Sequence, residues 1–236
     1  EQKLSSRDPY HIVSALYMIL VLRFIYFFNQ IGNLLLRTQV FQVKEHCINT
    51  LATLPQSQSS LAYLIEALQT ENDAEVLPLI LKNLAQFKTV NFNKTIEKSL
   101  AHPAPKVFVE ACLCLYHHPK YQRKNLIEKK IIACIQDPQL PETALYLYAL
   151  GELRQSRYSE TVLPFLDNER PEVRLAAFTA FIRMLEGQLE PHKPRLIEAL
   201  YSQDKNMRIV ALRALKECQF LDDWSPVIRL LGARER

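Results

Sequence analysis

Four glycines in 236 residues are very few. That scarcity excludes a glycine-rich phosphate loop, a dinucleotide-binding turn and a series of tight β-hairpins, all of which need residues free to adopt positive φ. Tryptophan occurs once, at Trp224. No segment of useful length alternates polar and apolar residues with the period of a strand. Charge of either sign is nearly cancelled, with a net of +4, which permits an acidic partner without requiring one. Cysteine is sparse and odd in number: Cys47, Cys112, Cys114, Cys134 and Cys218 lie mostly inside apolar runs. That pattern fits reduced, buried thiols of a cytosolic domain, not a secreted disulfide framework. Proline, by contrast, reaches 13 among helix formers, which implies many short helices started or stopped by proline.

The chain repeats itself. Val43, Val76, Val107, Glu142, Val173 and Met207 open similar segments, at intervals of 33, 31, 35, 31 and 34 residues. A period of this size marks an array of stacked supersecondary units. In the fifth segment, Val173, Ala176, Ala177, Ala180, Phe181 and Met184 form one stripe of a 3.6-period helix. A second amphipathic segment precedes each of the later openings: 59–69, 93–101, 124–136, 159–167 and 193–203. Short polar breaks such as "DNERPE" and "SQDKN" separate the two, with Asp or Asn to cap the incoming helix and Pro for its first turn. The repeating element is helix, tight turn, helix. Pro78 falls inside the second segment of its repeat, where a kink is expected.

On "DNERPEVRLAAFTAF" and "DKNMRIVALRAL", the chain resembles the HEAT repeat family and its bacterial HEAT-like relatives. The likeness is good over 155–219, looser over 59–153 and weak over 38–54, and "PETALYLYALGEL" lacks the Val-Arg pair. The resemblance implies an all-α fold, a right-handed α-α superhelix or HEAT-like solenoid of about six helix pairs, with a concave binding face. It implies no chemistry of its own. It also implies that Arg174 and Arg208 belong to an Asp/Arg ladder between neighbouring repeats, with Asp167 and Asp204 as partners.

Residues 1–37 read differently from 38–236, which carry the repeats and are expected to form an independent core. From Ile12 to Phe28 only Ser14 and Arg23 are strongly polar, and the run continues to Leu36 with few breaks. Its length suits a membrane span of about 20 residues, and Tyr10, Tyr17 and Tyr26 suit a membrane interface. Arg23 near the middle costs roughly 2.5–3.5 kcal/mol on insertion scales. The other reading is a buried helix, or pair of helices, that caps the first repeat. A helix apolar on every side is unusual for a cap, which must show water a polar face. The run lacks the flanks of a secretory signal, and the chain opens on Glu1, not Met, which points to a fragment or a processed chain.

Three groups of residues carry candidate sites. The second helices of the repeats should line the concave face, placing Lys106, Glu110, Arg183, Arg213 and Lys216 against a protein partner. Lys120, Arg123, Lys124, Lys129 and Lys130 form a basic patch that reads as a solvated helix face or, beside a membrane, as a lipid-headgroup contact. "CLCLYHH" at 112–118 is the only Cys/His cluster; Cys112 and Cys114 point to nearly opposite sides of a helix, so no metal or other cofactor is expected. Glu142, Glu152, Glu160 and Asp167 are scattered, and no nucleophile elbow occurs, so no catalytic residue is named. Nucleic acid is not expected as a partner, since the single Trp224 does not furnish an aromatic basic cleft.

These features predict a non-catalytic scaffold or adaptor, tethered to or docked on a membrane through residues 12–36, with its solenoid in the cytoplasm. A soluble cytoplasmic protein is the other localisation. The alternatives in function are an enzyme or enzyme subunit of the lyase type on a HEAT-like fold, or the cytosolic regulatory domain of a membrane transporter.

Overall fold

The computed structural model describes residues 4–54, 58–136 and 140–217, and all their regular structure is helical. Trp224 and Cys218 lie outside the described residues. The chain divides into two compact units, Glu1–Ile127 and Glu128–Arg236. Residues 1–37 belong with the first unit.

In the first unit the elements are α1 (Pro9–Val21), a 3-10 turn (Ile25–Phe27), α2 (Phe28–Arg37), α3 (Phe41–Thr53), α4 (Gln58–Thr70), α5 (Val76–Leu84), α6 (Asn93–Glu97) and α7 (Pro105–His117). A 3-10 turn, Lys98–Ala101, extends α6. α8 (Lys124–Ile135) crosses the boundary between the units. The second unit continues with α9 (Thr143–Glu152), α10 (Ser159–Val162), α11 (Pro171–Met184), α12 (Lys193–Ala199) and α13 (Lys205–Glu217).

Proline sits in the first turn of α1, α7 and α11, where the missing N–H costs nothing. Pro78 does the same. α5 begins at Val76, so Pro78 lies in the first turn and the expected kink does not arise. The side chain of Asp204 takes the N–H of Asn206 at 2.7 Å ahead of α13.

The repeat openings fall at the buried starts of α3, α5, α7, α11 and α13, where Val43, Val76, Val107, Val173 and Met207 are all enclosed. The fourth differs by one residue. Glu142 precedes α9 and is only half-buried, while Thr143 beside it is fully enclosed. The hydroxyl of Thr143 donates to the Leu140 carbonyl, which explains how a polar residue fills a position held elsewhere by valine or methionine.

Within the first unit α3 packs against α1, α2, α4 and α5, and α5 against α7. Helix α3 is enclosed on most of its surface as a result, and Val43, Cys47, Ile48 and Leu51 are fully buried. Within the second unit α9 packs closely on α11, and α11 on α13. The close approach depends on small residues: a Cβ placed on Gly151 of α9 would come within 2.6 Å of the Ala180 Cα of α11.

The hydrophobic run of residues 12–36 is not one helix. α1 stops at Val21 because Arg23 takes a left-handed conformation, φ 51°. The Arg23 N–H donates to the Leu20 carbonyl at 3.2 Å and the Phe24 N–H to the Ile19 carbonyl at 3.0 Å, the paired bonds of a Schellman cap. A non-glycine residue in this conformation costs about 1–2 kcal/mol, here offset by those two bonds. α9 ends likewise at Arg154, also at φ 51°, whose N–H donates to the Gly151 carbonyl.

Candidate interaction surfaces

α1 carries two apolar stripes. The side chain of Asp8 accepts from the Tyr10 N–H at 2.9 Å and starts the helix, with Pro9 following. Ile12, Leu16 and Ile19, spaced at four and three residues, point inward and are buried. The opposite positions 10, 14, 17, 18 and 21 carry Tyr10, Ser14, Tyr17, Met18 and Val21. Of these Tyr10 is 76% exposed, Tyr17 60%, Met18 54% and Val21 57%. Leu22, Phe24 and Tyr26 extend the exposed apolar surface past the helix end. Contiguous exposed apolar surface is less common on folded domains than scattered single residues. At about 1.5 Å per residue the 13-residue helix reaches about 20 Å, short of the roughly 30 Å of a bilayer core. Among the described residues no helix is long and apolar enough to cross a membrane, so the expected single span over 12–36 gives way to two shorter helices. The sequence pointed to Tyr10, Tyr17 and Tyr26. Met18 and Val21 went unnamed, although positions 10, 14, 17, 18 and 21 already spell a stripe opposed to 12, 16 and 19.

The residues assigned to a partner-binding face divide between the units. On α7, Lys106 is exposed and donates to both carboxylate oxygens of Glu75 at 2.9 Å, while Glu110 is half-buried. On α11, Arg183 pairs with Glu152 of α9 and lies over the Tyr148 ring, 5.2 Å from its centroid. Arg213 and Lys216 of α13 are exposed. A cleft of about 520 Å³ in the second unit is lined by Arg183 together with Arg154, Glu186, Glu190 and Glu217. Within it Arg154 pairs with Glu186. Among the described residues that line it, none forms a nucleophile and base pair.

Much of the basic patch is committed to neighbouring segments. Lys120 donates to the Thr89 carbonyl, Arg123 pairs with Glu97, and Lys124 sits 5.3 Å from the Tyr116 ring centroid. Lys129 and Lys130 lie beyond the unit boundary, Lys129 exposed and Lys130 half-buried.

Arg174 and Arg208 are equivalent, but they do not use Asp167 and Asp204. Arg174 donates to the carbonyls of Asn168 and Glu169, and Arg208 to those of Ser202 and Gln203, each six and five residues upstream at 2.7 and 2.9 Å. Each guanidinium folds back over the turn ahead of its own helix and satisfies carbonyls there. Asp204 is occupied as the cap of α13, and Asp167 is exposed. The pair of arginines therefore braces turns within repeats, in place of the expected ladder between them.

In "CLCLYHH", Cys112 and Cys114 are buried, and burial pushes the Cys114 thiol up to about 12, as it does that of Cys47. His117 is exposed. His118 is enclosed: Nε2 lies 2.9 Å from the Val90 carbonyl and Nδ1 accepts from the Lys120 N–H at 3.3 Å, which fixes the proton on Nε2. Burial lowers its pKa. Among the described residues no group of three His, Cys, Asp or Glu side chains is placed to hold a metal ion.

Two ion pairs that bury a charged side chain were not anticipated. Lys44 of α3 reaches Glu71 at 2.5 Å, with both side chains largely enclosed. The enclosed Glu128 of α8 accepts from Arg157 at 2.5 Å and from the Tyr158 hydroxyl at 2.8 Å. A lysine on an apolar helix was the available signal for the first; the second had none. Comparison with known proteins finds no matching family model and no curated protein that matches the chain.

Proposed function

We propose that the protein is a non-catalytic scaffold or adaptor of the HEAT-like solenoid type. It binds another protein along a face of second helices and docks through its N-terminal helices on a membrane or membrane protein.

One observation carries this reading. The side-chain hydrogen bonds and ion pairs between separate elements cluster near one repeat length. Tyr63 to Asn29 and Asn83 to Asn49 are 34 residues apart, Lys106 to Glu75 is 31, Arg157 to Glu128 is 29, and Arg123 to Glu97 is 26. The turn contacts agree: Lys88 to the His117 carbonyl is 29, His118 to the Val90 carbonyl 28, and Arg170 to the Leu140 carbonyl 30. A solenoid is quasi-one-dimensional, each repeat touching only its neighbours, so its contacts recur near a single period. Such folds serve binding through extended faces. The buried thiols Cys47, Cys112 and Cys114 suit a reducing compartment, which favours the cytoplasmic side of a membrane.

Photo-crosslinking residues placed at 110, 183, 213 and 216 test the reading in producing cells. A discrete adduct with one protein from these positions, and none from matched positions 66 and 94 on first helices, is expected. Uniform adducts from both sets, or none from either, would overturn it. Small-angle scattering checks the architecture: a solenoid gives an elongated curve, and a compact spherical profile would reject it.

A further inference from the structure

We propose that α1 binds lying in the plane of an anionic lipid surface, its exposed stripe inserted and its flanking arginines on the headgroups. The inference deepens the reading that the N-terminal helices dock the protein, and commits it to lipid.

Four observations carry it. First, the stripe of Tyr10, Tyr17, Met18 and Val21 is exposed along the length of the helix, while the other stripe is already satisfied by packing on α3. Second, α1 is too short to cross a bilayer, so lipid can take the stripe only from the side. Third, the exposed side chains are mixed with tyrosine, whose hydroxyl wants water while its ring does not, the preference of the headgroup level. Fourth, the charge is one-sided. Arg7, Arg23 and Arg37 are exposed, and no acidic residue occurs between Asp8 and Glu45. Asp8 itself is engaged in capping Tyr10 and lies 3.5 Å from His11. Glu45 lies on α3, which packs on the other side of α1.

Arg37 also lines a cleft of about 470 Å³ with Ser5, Gln30 and Asn33, between the segment ahead of α1 and α2. Among the described residues no carboxylate lines it. A guanidinium among hydroxyl and amide groups is a fitting environment for a phosphate of a headgroup. An ordinary partner-helix groove has no need of arginines at the ends of its stripe and no reason to lack acids over 36 residues, positions 9–44.

The test is flotation of the full chain with vesicles of phosphatidylcholine alone and of phosphatidylcholine mixed with phosphatidylglycerol, at low and high salt. Binding to the anionic vesicles is expected, weakened by salt and at least about tenfold poorer on the neutral ones. Tyr17→Ser with Val21→Ser should weaken binding about tenfold or more. Arg23→Gln and Arg37→Gln should each weaken it about fivefold. These positions are exposed, so circular dichroism should show unchanged helix content and melting, and that control separates lost docking from lost folding. Alkaline carbonate should strip the bound protein. Release only by detergent would overturn the in-plane placement. Failure to float, with or without self-association abolished by the Tyr17/Val21 pair of changes, would overturn lipid as the occupant. In that event the crosslinking at 110, 183, 213 and 216 still decides the scaffold reading by itself.

Discussion

The second helices of the pairs and the first helices solve the same problem by different means. The second helices α7, α11 and α13 are continuous, at 13, 14 and 13 residues, and place a row of enclosed apolar side chains against a neighbouring second helix of their unit. Three of the first helices are interrupted, whereas α4 and α8 run unbroken for 13 and 12 residues. α6 runs five residues before a 3-10 turn, α10 only four between two such turns, and α12 seven after another. Pro164 and Pro191 sit at the second position of two of those turns, and Pro194 in the first turn of α12. First-helix segments are joined to one another by polar groups, as in Arg123–Glu97, Arg157–Glu128 and Tyr63–Asn29. Close apolar packing needs a regular surface over three turns; a hydrogen bond needs only two atoms in place. Both layers bury apolar side chains, Leu64 of α4 and Ile131 of α8 among them, but the interrupted first helices add polar links between neighbours.

Substitutions can sharpen that contrast. Phe181 of α11 is 2% exposed and meets the His192 ring edge-on. Phe181→Ala should cost about 3–5 kcal/mol, read by denaturant unfolding of the second unit; a loss under about 1 kcal/mol would contradict the central place given to this layer. Next comes Glu71→Gln, which strands the enclosed Lys44 ammonium and should cost about 3 kcal/mol. Adding Lys44→Met should recover most of it. Burial pushes the Glu71 carboxyl up, but the Lys44 amine and the N–H groups of Asp73 and Asn72 outweigh that and hold it below the ordinary range. A carboxylate with a lowered folded pKa stabilises above its unfolded value and loses that contribution as pH falls. Glu71→Gln should therefore flatten the acid limb of the stability curve below about pH 4.3.

A smaller cost follows at the helix crossing. Gly151→Ala drives a methyl group into the Ala180 backbone, which cannot swing aside, and should lose about 1–3 kcal/mol despite the better helix propensity of alanine. His118, enclosed and neutral, gives a shallower effect. Its lowered pKa means that the unfolded chain takes up the proton first, so stability is full above about pH 6.5 and declines as pH falls below it. Equilibrium unfolding between neutral and mildly acidic pH measures the slope, and His118→Gln should reduce it. The smallest effects belong to the first helices. Arg123→Gln removes a largely exposed pair and should change stability by less than about 1 kcal/mol. A larger loss there would erase the distinction between the layers.

The helices themselves were legible because each rests on local signals. The period of Val173, Ala177, Ala180 and Met184 marks α11, and Pro171 marks its first turn. The segments read at 59–69 and 124–136 match α4 and α8 within a residue at each end. Where the reading slipped, a nonlocal partner decided. The fourth repeat is displaced by one residue because Thr143 satisfies its own hydroxyl on Leu140 and can be buried beside α11. The arginines at 174 and 208 chose backbone carbonyls over the nearby aspartates because the turn brings those carbonyls within 2.9 Å. The basic run at 120–130 looked like a patch because the sequence does not show that Thr89, Glu97 and Tyr116 return to meet it.

The sequence by itself determined the helical character, the period and the turns, since proline, capping residues and 3.6-residue spacing act within a few residues of chain. It also determined that residues 12–36 are too apolar to be indifferent to their surroundings. Only the tertiary structure decided how that apolarity is used. A Schellman cap at Arg23 ends α1 after 13 residues, α3 takes up Ile12, Leu16 and Ile19, and Tyr10, Tyr17, Met18 and Val21 are left facing outward. Hydrophobicity is a property of each residue, but which face is already covered depends on a helix twenty residues or more along the chain.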